Sequence, residues 1–409
     1  MNLKISIRPG GDLRLRCSHL ATGVAAAFLG LASQAWAEEA PATQPTQPVH
    51  FGVLYDGEVM GVAAGGLGRG ATYLDQLMLS ADVDFDRAVG WRGATAHVDV
   101  LSSHGGQPSD RTGSSLGIDR NAIEARPVRV VQAYVQQTFA KGRVSVLLGF
   151  YDIANDFSSV SSADLFIGAT GALAPELAAS GPNGPSDAPE TALTLRVRVQ
   201  PTQSTYLAIM AANARSGDLG DASGPDFSFR DGLFLAAEAG YTASARFAIG
   251  AWTYTQRQPD IRELGVSGNP ILRAARGAYV LAEYPLYAPA DGVRKTTAFL
   301  RVGVSEGKTT SYSASWKAGI LIEHLFRSRP ESTLAFGGIG ARFDGRFRAN
   351  GADTGLAVGA SETGLELTYS DRIAPHVKLQ PDLQWVHRPS GQRAIGDVIV
   401  TGLRVEIEL

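Results

Sequence analysis

The sequence predicts an all-β chain, a sixteen-stranded antiparallel transmembrane β-barrel, and three observations predict it. About sixteen segments alternate polar and apolar residues with the period of two that a strand with unlike faces requires. Connections after even-numbered segments are short and those after odd-numbered segments are longer, a parity that an up-and-down barrel keeps and a Greek-key sandwich has no reason to keep. The chain also opens with an export signal, yet no later run reaches the roughly 18 apolar residues that a membrane helix requires.

The opening residues carry Lys4, Arg8, Arg14 and Arg16 against one acid, Asp12, and lead into the apolar run LATGVAAAFLGLASQAWA. Small residues at Ala35 and Ala37 complete a secretory signal peptide, expected to span residues 1–37. The single cysteine, Cys17, lies within it, so the exported chain is expected to form neither a disulfide nor a thiolate metal site. Residues 38–48, EEAPATQPTQP, have no apolar period and read as a flexible leader; the barrel is expected over 49–409.

The strands follow in order, centred near Val53, Leu79, Val98, Val135, Val146, Val197, Leu207, Ala237, Ile249, Ala282, Leu300, Ile320, Phe336, Leu367, Leu383 and Leu403. In the sixth, TALTLRVRVQ, the apolar Leu193, Leu195, Val197 and Val199 share one face and Arg196 and Arg198 the other. The last, VIVTGLRVEIEL, alternates to the final residue, as a closing strand with no free edge can.

The short connections are DRAVGW, AKG, PTQ, TASA, PADGVRK, RSRPES and RIAPH; the long ones include Gly105 to Pro127, Ile153 to Glu190, Arg215 to Asp231 and Gly345 to Ser361. Short turns are expected in the periplasm and long loops outside the cell. Aromatic residues near strand ends (Tyr73, Phe85, Trp91, Phe139, Tyr151, Tyr241, Trp252, Tyr287 and Phe326) suit girdles at the two membrane interfaces.

Several stretches resemble the carbohydrate-selective porin family of OprB type: GGLGRGATYLDQLMLSADVDFDRAVGWRGATAHVDVLSSHGGQPSD at 65–110, VVQAYVQQTFAKGRVSVLLGFYDIANDF at 130–157, SGPNGPS at 180–186, AEAGY at 237–241 and LQPDLQWV at 379–386. The resemblance implies a sixteen-stranded porin that passes sugars across the outer membrane of Gram-negative bacteria by facilitated diffusion. Small saccharides and outer-membrane lipid are the expected partners. A homo-oligomer is compatible with such a wall, although no stretch marks the contact.

A sugar pathway needs planar donors and acceptors and aromatic faces, each binding weakly so that the solute can leave. Placing the polar face of each strand in the lumen assigns it Asp82, Asp84, His97, Asp99, Gln132, Tyr134, Gln136, Arg196, Arg198, Glu238, Glu283, Arg301, Lys317 and Glu366, with Glu323, Lys378, Asp382 and Arg404. Both signs are present, unlike the single-sign ring of a strongly ion-selective pore. Opposed charges bridging across the wall are the structural alternative for each. The connection 153–190 is long for a plain turn and is expected to fold inward as a constriction loop, presenting Asn155, Asp156 and Phe166 toward Arg196 and Arg198.

Other chemistries find little support. The net charge of -3 supplies no basic field for nucleic acid. GGLGRG at 65–70 lacks the Lys-Ser or Lys-Thr of a phosphate loop, and His97 with Asp99 is a two-ligand set better read as a hydrogen-bonded pair than as a metal site, so no cofactor or metal is expected. A barrel lipid hydrolase would need a nucleophile with a base in reach, and the histidines His50, His97, His104, His324, His376 and His387 form no evident triad constellation in the sequence. A polysaccharide-binding sandwich, a general small-solute pore and a barrel for acidic sugars complete the alternatives.

Overall fold

The computed structural model describes residues 47–217, 224–289 and 294–409. The signal peptide and most of the leader lie outside the described residues, as does part of the turn PADGVRK.

Sixteen antiparallel strands close into one barrel. They run Val49–Ala64, Gly70–Asp84, Ala94–Gly105, Arg126–Phe139, Val144–Tyr151, Ala192–Thr202, Thr205–Asn213, Leu233–Thr242, Arg246–Tyr254, Arg276–Tyr287, Lys295–Ser305, Tyr312–Glu323, Thr333–Phe343, Ser361–Ala374, Val377–His387 and Val398–Glu408. Every expected centre falls inside its strand. The last strand pairs with the first from Leu54 opposite Glu408 to Ala64 opposite Ile399, so neither leaves an open edge.

Side-chain alternation decides which face meets lipid. On the sixth strand Leu195 is 47% exposed at the outer surface while Arg196 is buried at 5%. Leu79, Leu148, Ile249, Val280, Leu300, Phe336 and Leu383 repeat the outward apolar pattern on other strands. An apolar outer face around a polar-lined closed barrel is the arrangement of a membrane barrel, because unpaired backbone groups find no partner in hydrocarbon. Tyr73, Trp91, Phe139, Tyr241, Tyr287 and Phe326 are exposed, whereas Tyr151 and Trp252 are buried. Those two therefore leave the expected girdles: they sit at inward positions of their strands and pack against interior side chains.

The connections keep the expected parity with local corrections. The sixth strand runs on to Thr202 and the fourteenth to Ala374, so PTQ and RIAPH shrink to the residues 203–204 and 375–376. DRAVGW begins with a helical turn, Phe85–Val89. The loop after the ninth strand holds a hairpin that the sequence reading did not anticipate, Gln258–Leu264 with Pro270–Arg273, outside the barrel sheet. It is tied to the helix Gly345–Asp353 through Arg262 to Asp353 (2.7 Å) and Arg346 to Glu263 (2.5 Å).

The interior is not an empty tube. Residues of the loop 153–190, among them Ile153, Phe157, Phe166 and Leu177, form one apolar cluster with inward residues of the seventh to thirteenth strands, including Phe234, Trp252, Tyr279 and Phe299. The loop after the third strand enters as well, packing Ile118 and Ala122 against Met60, Leu74, Val386 and Val400. Glycines make the close approach feasible: a Cβ at Gly337 would lie 2.8 Å from the Phe166 ring, and one at Gly303 would collide with Glu176 and Arg301.

Candidate functional site

The wall of the second to sixth strands carries a continuous polar chain. His97 lies between two carboxylates, Nδ1 2.7 Å from Asp82 and Nε2 2.9 Å from Asp99. Asp99 also accepts from Ser80 (2.7 Å) and from Gln132 (3.0 Å), and Gln132 Oε1 accepts from Asn155 in the inward loop (2.8 Å). Tyr134 stacks on His97 at 5.2 Å and meets the edge of Tyr151 at the same distance.

One residue after Asn155, Asp156 is the hub of the expected arginines. Its carboxylate lies 2.7 Å from Arg196 Nε and 3.4 Å from Arg198 Nη1, and accepts from the Tyr151 hydroxyl at 2.6 Å. Arg196 also donates to Ser145 (2.6 Å) and Gln136 (2.8 Å), and the Arg198 guanidinium sits 4.0 Å from the centre of the Tyr206 ring. Sequence reasoning placed Asn155 and Asp156 opposite these arginines; Asp156 meets them, while Asn155 donates to Gln132 instead. Phe166 does not: it packs edge-on against Phe299 at 5.9 Å, on the eleventh strand.

Asp84 is a second correction. Its side chain accepts from the backbone of Asp86 and Arg87 and caps the helical turn at the strand end, instead of facing the lumen. A free pair of N–H groups at a helix start is a stronger local partner than bulk water, and Asp at the preceding position meets them.

Five other expected residues face inward but hold the loop. Glu238 accepts from Ser158 N (2.9 Å), Tyr206 (2.5 Å) and Tyr279 (2.7 Å). Glu283 accepts from Ser162 N (2.7 Å), and Glu366 from Ile167 N (2.6 Å) and Gly168 N (3.0 Å). Arg301 pairs with Glu176 at 2.7 Å with both side chains fully buried, and Lys317 donates to the Ala172 carbonyl. A carboxylate that accepts two or three N–H groups fixes the backbone supplying them, so these contacts seat the loop across the interior.

The loop after the third strand meets inward residues of the wall in a polar cluster that sequence reasoning missed. Asn121 donates to Glu58 (2.7 Å) and Asp56 (3.2 Å) and accepts from Gln76 through its carbonyl (2.7 Å). Arg404 approaches Glu58 at 2.9 Å, and Arg120 N donates to the Ile167 carbonyl (2.9 Å), joining the two loops. Burial, with Glu58 close by, pushes the Asp119 carboxyl well above the usual range. On the first strand Asp56 and Glu58 alternate with Tyr55, Gly57 and Val59, a signal that could have found them. Asp119, Arg120 and Glu176 sit in loops without a period and offer none. Among the described residues no cluster of three metal-ligating side chains occurs.

A closed barrel of this kind, apolar outside and crossed by polar inward loops, has the build of a pore, and the comparisons agree. Residues 68–409 match the description "Carbohydrate-selective porin, OprB family". The chain belongs to the carbohydrate-selective porin family. Among curated relatives, Putative porin QuiX of Acinetobacter baylyi is 21% identical over 366 residues, covering 81% of this chain and 82% of the relative. Porin B of Pseudomonas aeruginosa is 20% identical over 394 residues, covering 87% and 86%. The high-pH structure of Pseudomonas putida OprB superposes with a TM-score of 0.79 at 20% identity, covering 88% of this chain and 94% of that one. This carbohydrate porin is a channel of the Gram-negative outer membrane: its short turns face the periplasm and its long loops the exterior.

Proposed function

We propose that the solutes are small neutral saccharides of about glucose size, and that the two inward loops together narrow the path they take. The observation that carries this reading is the pairing of interior charge. Arg196 and Arg198 share Asp156, Arg301 holds Glu176, and Arg404 holds Glu58. Paired charges present polar atoms for hydroxyl groups without a strong net field for either ion sign. Tyr134, half-buried beside His97 and near Gln136, offers a ring face of the type that stacks on sugar C–H groups.

Liposome swelling with the purified barrel tests the reading. Glucose is expected to enter faster than an amino acid of similar size and faster than a charged sugar acid. Size-ordered entry without preference would refute saccharide selectivity in favour of a general pore, and preference for the sugar acid would favour an anionic substrate.

A further inference from the structure

We propose that the outer wall of the sixth to eleventh strands binds one phosphorylated, acylated glycolipid of the outer leaflet, its chains in a groove of small side chains and its phosphate on Arg230, Arg257 and Arg276. Lipid binding on the outer wall is independent of the solute inside. Ala237, Ala251 and Ala278 stand in register on the eighth, ninth and tenth strands, with Ile209 at one end of the row and Val304 at the other. At a strand spacing of about 4.8 Å the three truncated side chains leave a notch about 10 Å across, wider than one hydrocarbon chain. The notch opens into a groove of about 920 Å³ on the lipid-facing side, with Leu195 and Val197 on one flank and Arg276 and Glu306 at its head. A second groove of about 670 Å³ continues it toward the periplasm past Ala239, Ile249 and Ala282. A void there would forfeit dispersion contacts, so a chain that follows the groove is held better than one on a convex wall.

The head of the groove is cationic. Arg276 lies 3.5 Å from Glu306, which also takes Lys308 at 3.0 Å, so this trio keeps one positive charge. Arg230 and Arg257 are exposed and stand in no ion pair among the described residues. Gln256 donates to the Arg230 carbonyl at 2.6 Å, which joins the extracellular ends of the eighth and ninth strands. The segment leading to Arg230 lies over the outer wall: Phe227 meets Phe150 edge-on at 5.9 Å, and Phe150 shares the outward face of the fifth strand with Leu148. Phe227 and Phe229 are both exposed there, as aromatic rings at headgroup level are. A phosphate supplies the acceptors that guanidinium forks match. A second copy of the chain suits this patch less, because two barrels meeting about a two-fold axis in one membrane would set the same arginines against each other.

The experiment is native mass spectrometry of the full barrel in detergent, titrated with lipid A, a phosphorylated and multiply acylated glycolipid, and with its dephosphorylated form. The parent is expected to hold one lipid A per barrel. The triple variant Arg230→Gln, Arg257→Gln, Arg276→Gln is expected to raise the Kd at least tenfold, and the dephosphorylated lipid to bind the parent as weakly as lipid A binds that variant. Ala251→Phe fills the groove without touching a charge and is expected to weaken binding at least tenfold, whereas Leu383→Phe on the opposite wall leaves it unchanged. If Ala251→Phe fails to assemble, Ala278→Phe takes its place, and the arginine variant with the dephosphorylated lipid still decides the headgroup. Equal binding by the parent and the assembled variants, or equal binding of the two lipids, would overturn the proposal. A parent that runs as a dimer which Ala251→Phe dissociates would also overturn it, assigning the groove to a second copy of the chain.

Discussion

Replacing Glu176 by Gln probes how firmly the inward loop is seated. The carboxylate pairs with Arg301 at 2.7 Å with both side chains fully buried, and it also accepts from Ser315. Removing one partner of such a pair leaves an uncompensated interior charge, at a cost of about 3–5 kcal/mol. Arg301 keeps Ser158 as an acceptor at 2.8 Å and the Tyr279 ring at 5.0 Å, which places the expected loss at the low end, about 3 kcal/mol. Each ~1.4 kcal/mol is a factor of ten in an equilibrium. The fraction of molecules with the loop unseated should therefore rise on the order of a hundredfold. Cleavage of the loop by a protease in detergent follows that population when reclosing is fast, and should accelerate accordingly. Single-channel conductance should rise in parallel. The double variant Glu176→Met with Arg301→Met removes both charges and is expected to restore slow cleavage, since a buried pair exchanged for apolar side chains costs little. A cleavage rate within about threefold of the parent for Glu176→Gln alone would refute the claim that this pair holds the loop.

Three further outcomes follow from the geometry. Val197 lies mid-strand opposite Val146 and Ile209, so Val197→Arg should cost about 2–4 kcal/mol in a refolding titration into vesicles; undiminished folding would place that face away from lipid. Gly337→Val puts a side chain against the Phe166 ring (2.8 Å) and the Ala318 carbonyl (2.9 Å), so a loss of about 1–3 kcal/mol is expected, read as a lower midpoint of thermal unfolding, and an unmoved midpoint would show that the loop is not packed there. The extracellular hairpin should loosen in acid. The Arg346 and Arg273 guanidinium groups hold the Glu263 carboxyl below its ordinary value of 4.5. For Asp260, burial works in the opposite direction but is outweighed by the Glu263 and Arg262 N–H groups and Arg273, which hold it below 3.8. Folded-state values below the unfolded ones give stabilisation that is full above those ordinary values and is lost as pH falls through the depressed ones. Protection of residues 258–273 against hydrogen exchange, relative to the intrinsic rate at each pH, should therefore fall below about pH 4, and protection flat from pH 6 to 3 would count against the network.

Much of the wall was legible because a strand's side chains alternate strictly. In TALTLRVRVQ the partition of leucines and valines from arginines needs no partner to be read, and loop parity then separates a barrel from a sandwich. The rule failed where it met the interior. Phe234, Trp252 and Phe299 point inward on strands whose lumen face was expected to be polar, because the loop 153–190 covers them and makes a dry core there.

The sequence by itself determined the strand count, the outward apolar face and the meeting of Asp156 with Arg196 and Arg198, all of which follow from local periodicity and a short reach across neighbouring strands. Only the tertiary structure decided which inward charges are free. Glu238, Glu283, Glu366 and Arg301 look like lumen residues in the sequence, yet each is bound by loop groups 80 to 199 positions away in the chain. Arg120 shows the converse, a loop residue without any periodic signal whose unmatched donors appear only once two loops meet. Pairing in a barrel interior depends on how loops cross a closed wall, and that crossing is set by packing against glycines and aromatic rings from strands far apart in sequence.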